Sequence, residues 1–238
     1  MTQAPMPKAP KVPFIAGIFT DIAEHYDILN DILSLGLSRS WRRRAARLAY
    51  EELHRRQKAY SPGSAIDLAC GTGDLTAELA KMGWNVQGID IVPAMLSQAR
   101  RKYPAIPFGQ QDALHASFDD NAFELVTTAF SLRNVESVEE LLKEMVRITR
   151  PGGLIMTMEL TRPKGILRFL YSWYLRLFPL IGGLLTGHKK AYDHLANSIK
   201  TFIGPQQLAD IMRQLGLKVR TEHFLWGIVT VHLALKPG

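Results

Sequence analysis

From residue 64 onwards, short apolar runs alternate with segments of helical period. Ser64–Cys70, Trp84–Asp90, Ile106–Gln111, Phe123–Phe130 and Leu154–Glu159 are the runs. They have the form of strands buried on both faces. Between them, Leu75–Lys81, Pro93–Lys102 and Val138–Thr149 repeat apolar residues at helical spacing. Pro93 suits a first helical turn, and Pro151-Gly152-Gly153 ends the third helix. This alternation predicts a doubly wound α/β sheet of parallel strands. The C-terminal part differs. A helix over Pro205–Leu215 precedes strands Lys218–Phe224 and Ile228–Leu235, which turn at Trp226-Gly227 as an antiparallel hairpin.

Two helical regions flank this pattern. Phe14–Tyr60 reads as helical up to the break at Ser61-Pro62-Gly63, and Ile166–Leu185 as one long apolar helix. Prolines at 5, 7, 10 and 13 make residues 1–13 a disordered tail. The remaining 14–238 read as a single domain, with a helical extension over 14–60 and a helical lid or acceptor region over 160–204.

Composition narrows the function. With 47% apolar and 21% charged residues, the 238-residue chain is globular rather than disordered. Its one cysteine, Cys70, excludes an internal disulfide framework, and the seven histidines have no metal-ligand spacing, so no metal is expected. The net charge of +7 suits an anionic partner. The arginines at 39, 42, 43, 44 and 47 lack an aromatic platform and read as a solvated helix face, so no nucleic acid is expected. Neither a secretory nor a transit pattern opens the chain, which points to the cytoplasm.

The chemistry concentrates in Asp67-Leu68-Ala69-Cys70-Gly71-Thr72-Gly73-Asp74, a Gly-x-Gly turn between a strand and a helix. Glycines there let a ligand approach the backbone. The next strand ends in Asp90, placed to accept hydrogen bonds from ribose hydroxyls. A dinucleotide site would want glycine at 76, where this chain has Thr76. Asp67 suits an ammonium group, and Asp112-Ala113 ends the third strand, where an adenine amino group can be met. Three carboxylates at one crevice favour S-adenosyl-L-methionine over NAD. Arg133-Asn134 falls just past the fourth strand, at the ligand-binding edge of such a sheet. A guanidinium there would lower a phenol's pKa, and the Asn134 amide could bond a ring oxygen.

The glycine-loop pattern resembles class I S-adenosylmethionine-dependent methyltransferases. Three further stretches are narrower: Tyr26-Asp27-Ile28-Leu29-Asn30 running on to Trp41-Arg42, Phe130-Ser131-Leu132-Arg133-Asn134-Val135, and Ala191–Ile199. Together they resemble the ubiquinone/menaquinone biosynthesis C-methyltransferases, from Phe19 to the C-terminus. The resemblance implies a seven-strand Rossmann-like sheet of order 3-2-1-4-5-7-6 with an antiparallel last strand. It implies cofactor contacts at Asp67, Gly71, Thr72, Gly73, Asp90, Asp112, Ala113 and Phe130. Arg133, Asn134, Tyr26 and Asp27 would be catalytic, and Tyr192 and Ser198 would line the acceptor pocket. The implied reaction is methylation of a polyprenyl quinol ring, foremost demethylmenaquinol. Ser38, Ala129, His194 and Ala196 depart from the family's pattern. Another small aromatic or lipid acceptor therefore stays open, as does a non-catalytic nucleoside- or quinone-binding scaffold.

Ile166–Leu185 has the length of a membrane span but carries Arg168, Ser172 and Arg176 as a polar stripe. It reads as amphipathic: either a lid, or a helix lying on the inner face of a membrane. A homodimer also stays open.

Overall fold

The computed structural model describes residues 12–23, 26–34, 36–55, 61–163, 165–186 and 189–238. Most of the expected tail lies outside the described residues. Seven strands form one sheet: β1 (Ser64–Leu68), β2 (Asn85–Asp90), β3 (Phe108–Gln110), β4 (Phe123–Ala129), β5 (Thr149–Leu160), β6 (Lys218–Phe224) and β7 (Val229–Leu235). Their order is β3-β2-β1-β4-β5-β7-β6, parallel except for β7, which runs antiparallel to both neighbours. The expected sheet is borne out. β3 is shorter than its apolar run, and β5 starts earlier, at Thr149. Left-handed Gly152 lets β5 pass through Pro151-Gly152-Gly153, where its pairing with β4 skips.

Alternating side chains divide the core in two. Ile66, Val126 and Ile155 meet α6 (Val138–Ile148) and α9 (Pro205–Gln214) on one face. Ala65, Leu125 and Leu154 meet α3 (Leu37–His54) and α4 (Asp74–Lys81) on the other. Ala45, Ala46, Ala49 and Leu53 form the stripe that brings α3 close to the sheet. Arg42 extends that stripe by one turn and is buried; Arg39, Arg43, Arg44 and Arg47 face solvent. The solvated-face reading therefore fails at Arg42, because residues three and four apart share a helix face.

The remaining helices gather at the C-terminal ends of the parallel strands. The N-terminal extension contains α1 (Val12–Ile22) and α2 (Tyr26–Leu33), so the helix begins two residues inside the expected tail. α5 (Pro93–Lys102) follows β2, and α1 packs near it through Ala23, Val92 and Met95. α7 (Ile166–Thr186) and α8 (Lys189–Thr201) form a hairpin after β5. Their close approach needs Gly182, where a Cβ would lie 2.5 Å from the Tyr192 ring.

Candidate active site

The turn after β1 is built for close approach. Gly71 (φ 57°) faces open space, and its N–H donates to Asp90 Oδ2 at 2.8 Å. Gly73 (φ 81°) serves packing, since a Cβ there would meet Phe108 at 2.7 Å. Asp90 Oδ1 accepts the Val92 N–H at 2.9 Å. Burial raises the Asp90 pKa, against the backbone N–H groups that stabilise its charge. Each carboxylate oxygen has lone pairs left for a further donor. Asp67 is 1% exposed and accepts hydrogen bonds from Thr76 (2.7 Å) and Thr127 (2.9 Å). Burial outweighs both and pushes its pKa up to about 6. Asp112 turns the loop after β3 by accepting the Leu114 N–H at 2.9 Å.

Asp67, Gly71, Asp90 and Asp112 line an open cleft of about 1010 Å³ with Thr72, Ala113 and Phe130, whereas Gly73, expected at the cofactor, does not line it. α2 closes one side. Asp27 accepts from the Thr72 hydroxyl and the Lys102 ammonium, both at 2.6 Å. Lys102 also pairs with Asp74, which accepts from the Tyr103 hydroxyl at 2.9 Å. Burial would raise the Asp74 pKa, but Arg42 and Lys102 hold it below the ordinary value.

A second cavity, of about 590 Å³, adjoins the first and shares Tyr26, Arg42 and Phe130 with it. Trp41, Tyr171, Tyr174, Leu195 and Ile228 give it aromatic and aliphatic walls, and Ser38 and Arg133 also line it. Phe130 adopts a left-handed φ of 59°, uncommon for a bulky residue. Its N–H bonds the Met158 carbonyl and its carbonyl accepts from Asn134 Nδ2 at 3.3 Å, so the wall between the cavities is held from both sides. Arg133 forms an ion pair with Glu159, the two side chains being 4% and 0% exposed. Glu159 Oε1 accepts the Leu160 N–H as well; Glu159 Oε2 and Arg133 Nε are buried without a hydrogen-bond partner among the described residues. Burial raises the Glu159 pKa, opposed by the Arg133 charge. Burial also raises Tyr174, to about 12, and lowers His194 together with Arg133.

Residues 7–236 match the model of the ubiE/COQ5 methyltransferase family. The chain belongs to that family. It is 39% identical to a demethylmenaquinone methyltransferase of Thermus thermophilus, over 92% of this chain and 100% of that one. It is 37% identical to the Deinococcus radiodurans protein of the same name, over 93% and 92%. Among solved structures it is similar to a possible histamine N-methyltransferase of Thermotoga maritima. That likeness is at TM-score 0.59 and 18% identity over 92% of this chain and 99% of the other, which supports the fold. The chain is thus an S-adenosyl-L-methionine-dependent methyltransferase.

The cleft suits that cofactor on its own chemistry. Asp90 retains acceptor capacity beside a glycine whose Cβ position faces open space, Asp67 offers a buried carboxylate to a cation, and Asn134 Oδ1 is buried without a hydrogen-bond partner.

Several expected site residues sit differently from their sequence reading. Arg133 lines the aromatic-walled cavity and Asn134 the glycine-loop cleft, so the pair straddles the wall between them. Asp27 lies over the glycine loop rather than in the aromatic-walled cavity, while Tyr26 lines both cavities. Tyr192 and Ser198, expected to line the acceptor pocket, do not line the aromatic-walled cavity. Tyr192 packs on Gly182 and Ala196, and the Ser198 hydroxyl donates to the Leu195 carbonyl of its own helix at 2.8 Å. Leu195 is the described α8 residue that lines this cavity. Of the departures from the family pattern, Ser38 lines the aromatic-walled cavity and Ala129 the glycine-loop cleft, whereas Ala196 is buried between helices. Arg42 and Glu159 were not singled out from sequence, though Arg42 carries the signal of its helical stripe.

Proposed function

We propose that this methyltransferase methylates a ring carbon of a polyprenyl quinol, foremost demethylmenaquinol, the acceptor in its relatives' names. One observation carries the reading: a cofactor cleft and an aromatic-walled cavity meet at Tyr26, Arg42 and Phe130, with a buried arginine on the acceptor side. S-adenosyl-L-methionine supplies, when bound, an electrophilic methyl group on a sulfonium.

The chain's task is to hold an electron-rich ring carbon in line with that methyl and to exclude water. Trp41, Phe130, Tyr171 and Tyr174 flank a flat ring. Arg133 favours the ionised form of a ring hydroxyl, which raises electron density at the neighbouring carbon. Glu159 fixes the guanidinium from behind through one terminal nitrogen, leaving its Nε without a protein acceptor. Tyr26 and Asp27 act through α2: the Asp27 contacts to Thr72 and Lys102 tie the helix down over the cleft. The fine roles of Asp67, Asp90, Asp112 and Ala113 are an ammonium contact, ribose contacts and adenine contacts respectively.

The long-tailed acceptor also assigns the α7 surface. Phe169, Leu170, Trp173, Leu177 and Ile181 are exposed beside Arg168 and Arg176. No described helix is long and apolar enough to cross a membrane. We assign this face to peripheral contact with an anionic bilayer.

Purified protein with labelled S-adenosyl-L-methionine and a panel of reduced quinones tests the reading. The expected product is a ring C-methylated naphthoquinol. Labelling of only non-quinone phenols or lipids would move the acceptor to another class, and tight cofactor binding with no transfer to any acceptor would favour the scaffold.

A further inference from the structure

Beside the acceptor cavity lies another of about 780 Å³, between the end of β5, α8 and the start of α9. Leu160 is the one described residue that lines both. The walls continue from one to the other. On α7, Tyr174 and Tyr171 line the acceptor cavity and Arg168, three residues earlier, lines the next. On α8, Leu195 lines the first and Ile199, four residues later, the second. Residues three and four apart share a helix face, so one face of the α7/α8 hairpin runs along both cavities.

The second cavity is apolar in its depth. Ile199 and Phe202 are 3% and 9% exposed, Pro163 is buried, and Ile203 packs at the edge of the core. Arg162 donates to the Phe202 carbonyl at 3.4 Å, and Arg168 is exposed at the rim with its aliphatic stem available. This lining suits a flexible hydrocarbon rather than a second ring or an anion. Beyond Arg168, the exposed Ile166, Phe169 and Leu170 lead to the face assigned above to a bilayer.

We propose that this cavity receives the ring-proximal isoprene units of the acceptor's tail, with Leu160 at the threshold between ring and tail. The inference rests on the quinol reading. It places selection for tail length and branching on Leu160, Ile199, Phe202 and Ile203, away from the groups that handle methyl transfer.

Ile203→Trp fills the cavity from its edge, and Arg168→Trp narrows it from an exposed helix position that tolerates substitution. Either should raise KM for a quinol with several isoprene units by about tenfold, the value of roughly two buried methylenes. KM for the tail-less quinol, kcat and cofactor affinity should stay as in the native chain. Farnesol, an isoprenoid alcohol without a ring, provides an independent probe by calorimetry: native protein binds it, and the variants bind it at least about tenfold more weakly. Equal KM changes for tailed and tail-less quinols, or unaltered farnesol binding in both folded variants, overturns the site. Native protein that binds farnesol as described yet methylates no quinol supports the cavity while overturning the quinol reaction.

Discussion

Arg133 and Glu159 face each other across the ends of β4 and β5 with almost no exposure to water. A buried pair contributes little net stability, but removing one partner leaves an uncompensated charge at a cost of about 3–5 kcal/mol. Glu159→Ala should therefore lower stability by that order, read from denaturant midpoints. Arg133→Met combined with Glu159→Leu should recover stability without recovering activity. Recovery of both would reduce the pair to a structural role.

Arg133 interacts more strongly with a ring as negative charge develops, so its loss should appear in kcat. Arg133→Ala should lower kcat about 10²–10³-fold, the range for loss of one preorganised donor. Cofactor affinity should hold, because Arg133 lines the aromatic-walled cavity and not the glycine-loop cleft. The variant's rate should also climb at higher pH than the native rate, as solvent ionises the ring hydroxyl. A near-normal kcat with poor cofactor binding would move Arg133 to the donor site.

Asp67 gives a pH signature. Its folded pKa of about 6 lies above the ordinary 3.8, so the folded state favours the protonated form. Stability contributed by this group is present at low pH and lost as pH rises from about 4 to 6, by roughly 3 kcal/mol. Asp67→Asn should remove that slope. A cationic ligand group has the opposite preference, for the carboxylate. Affinity for S-adenosyl-L-methionine should therefore weaken below pH 6 by up to about tenfold per unit, and not in Asp67→Asn. Calorimetry across this range checks both signs, and a parallel pH dependence in the variant would assign the ammonium contact elsewhere.

The clustering around the glycine loop is legible because it is local in sequence. Asp67, Gly71 and Gly73 fall in one turn, and Asp90 ends the next apolar run. The acceptor side is assembled from α2, α3, β5, α7 and α8, so only motifs pointed to it. Motifs mark a helix but not which of its side chains line a cavity: on α8 Leu195 lines the aromatic-walled one, and Tyr192 and Ser198 do not. Glu159 reads in the sequence as the polar end of a strand; its complete burial depends on a later strand, β7, which pairs with β5 at that end. Arg42 sits among four solvent-facing arginines, and only the alanine stripe below it marks its direction.

Asp27 and Lys102 tie the helical extension to the cofactor cleft, with Thr72 and Asp74 in the same network. Both side chains keep about a quarter to a third of their exposure, so salt should weaken the tie. Lys102→Met and Asp27→Asn should each speed cofactor release about three- to tenfold, the net value of about 1 kcal/mol for one hydrogen bond, solvent screening this part-exposed pair. The double variant should add little beyond either single change. Stopped-flow release would show additive effects if the two residues act independently.

The exposed face of α7 should behave as a bilayer contact. Trp173 and Phe169 are 52% and 66% exposed, and Arg168 and Arg176 lie on the same helix. Aromatic insertion and cationic attraction then act together, so binding to vesicles should need both an apolar interface and anionic lipid. Each arginine near the surface contributes about 1 kcal/mol, so sedimentation with phosphatidylserine vesicles should weaken steeply between low and high salt. Neutral phosphatidylcholine vesicles should retain little protein. Phe169→Ser with Trp173→Ser should release it from anionic vesicles and leave turnover of a tail-less quinol unchanged, since neither residue lines the acceptor cavity. A second copy of the chain is the competing occupant of this face. It would appear as a concentration-dependent dimer without lipid, lost in the same variant, while vesicle binding stayed equal in variant and native protein.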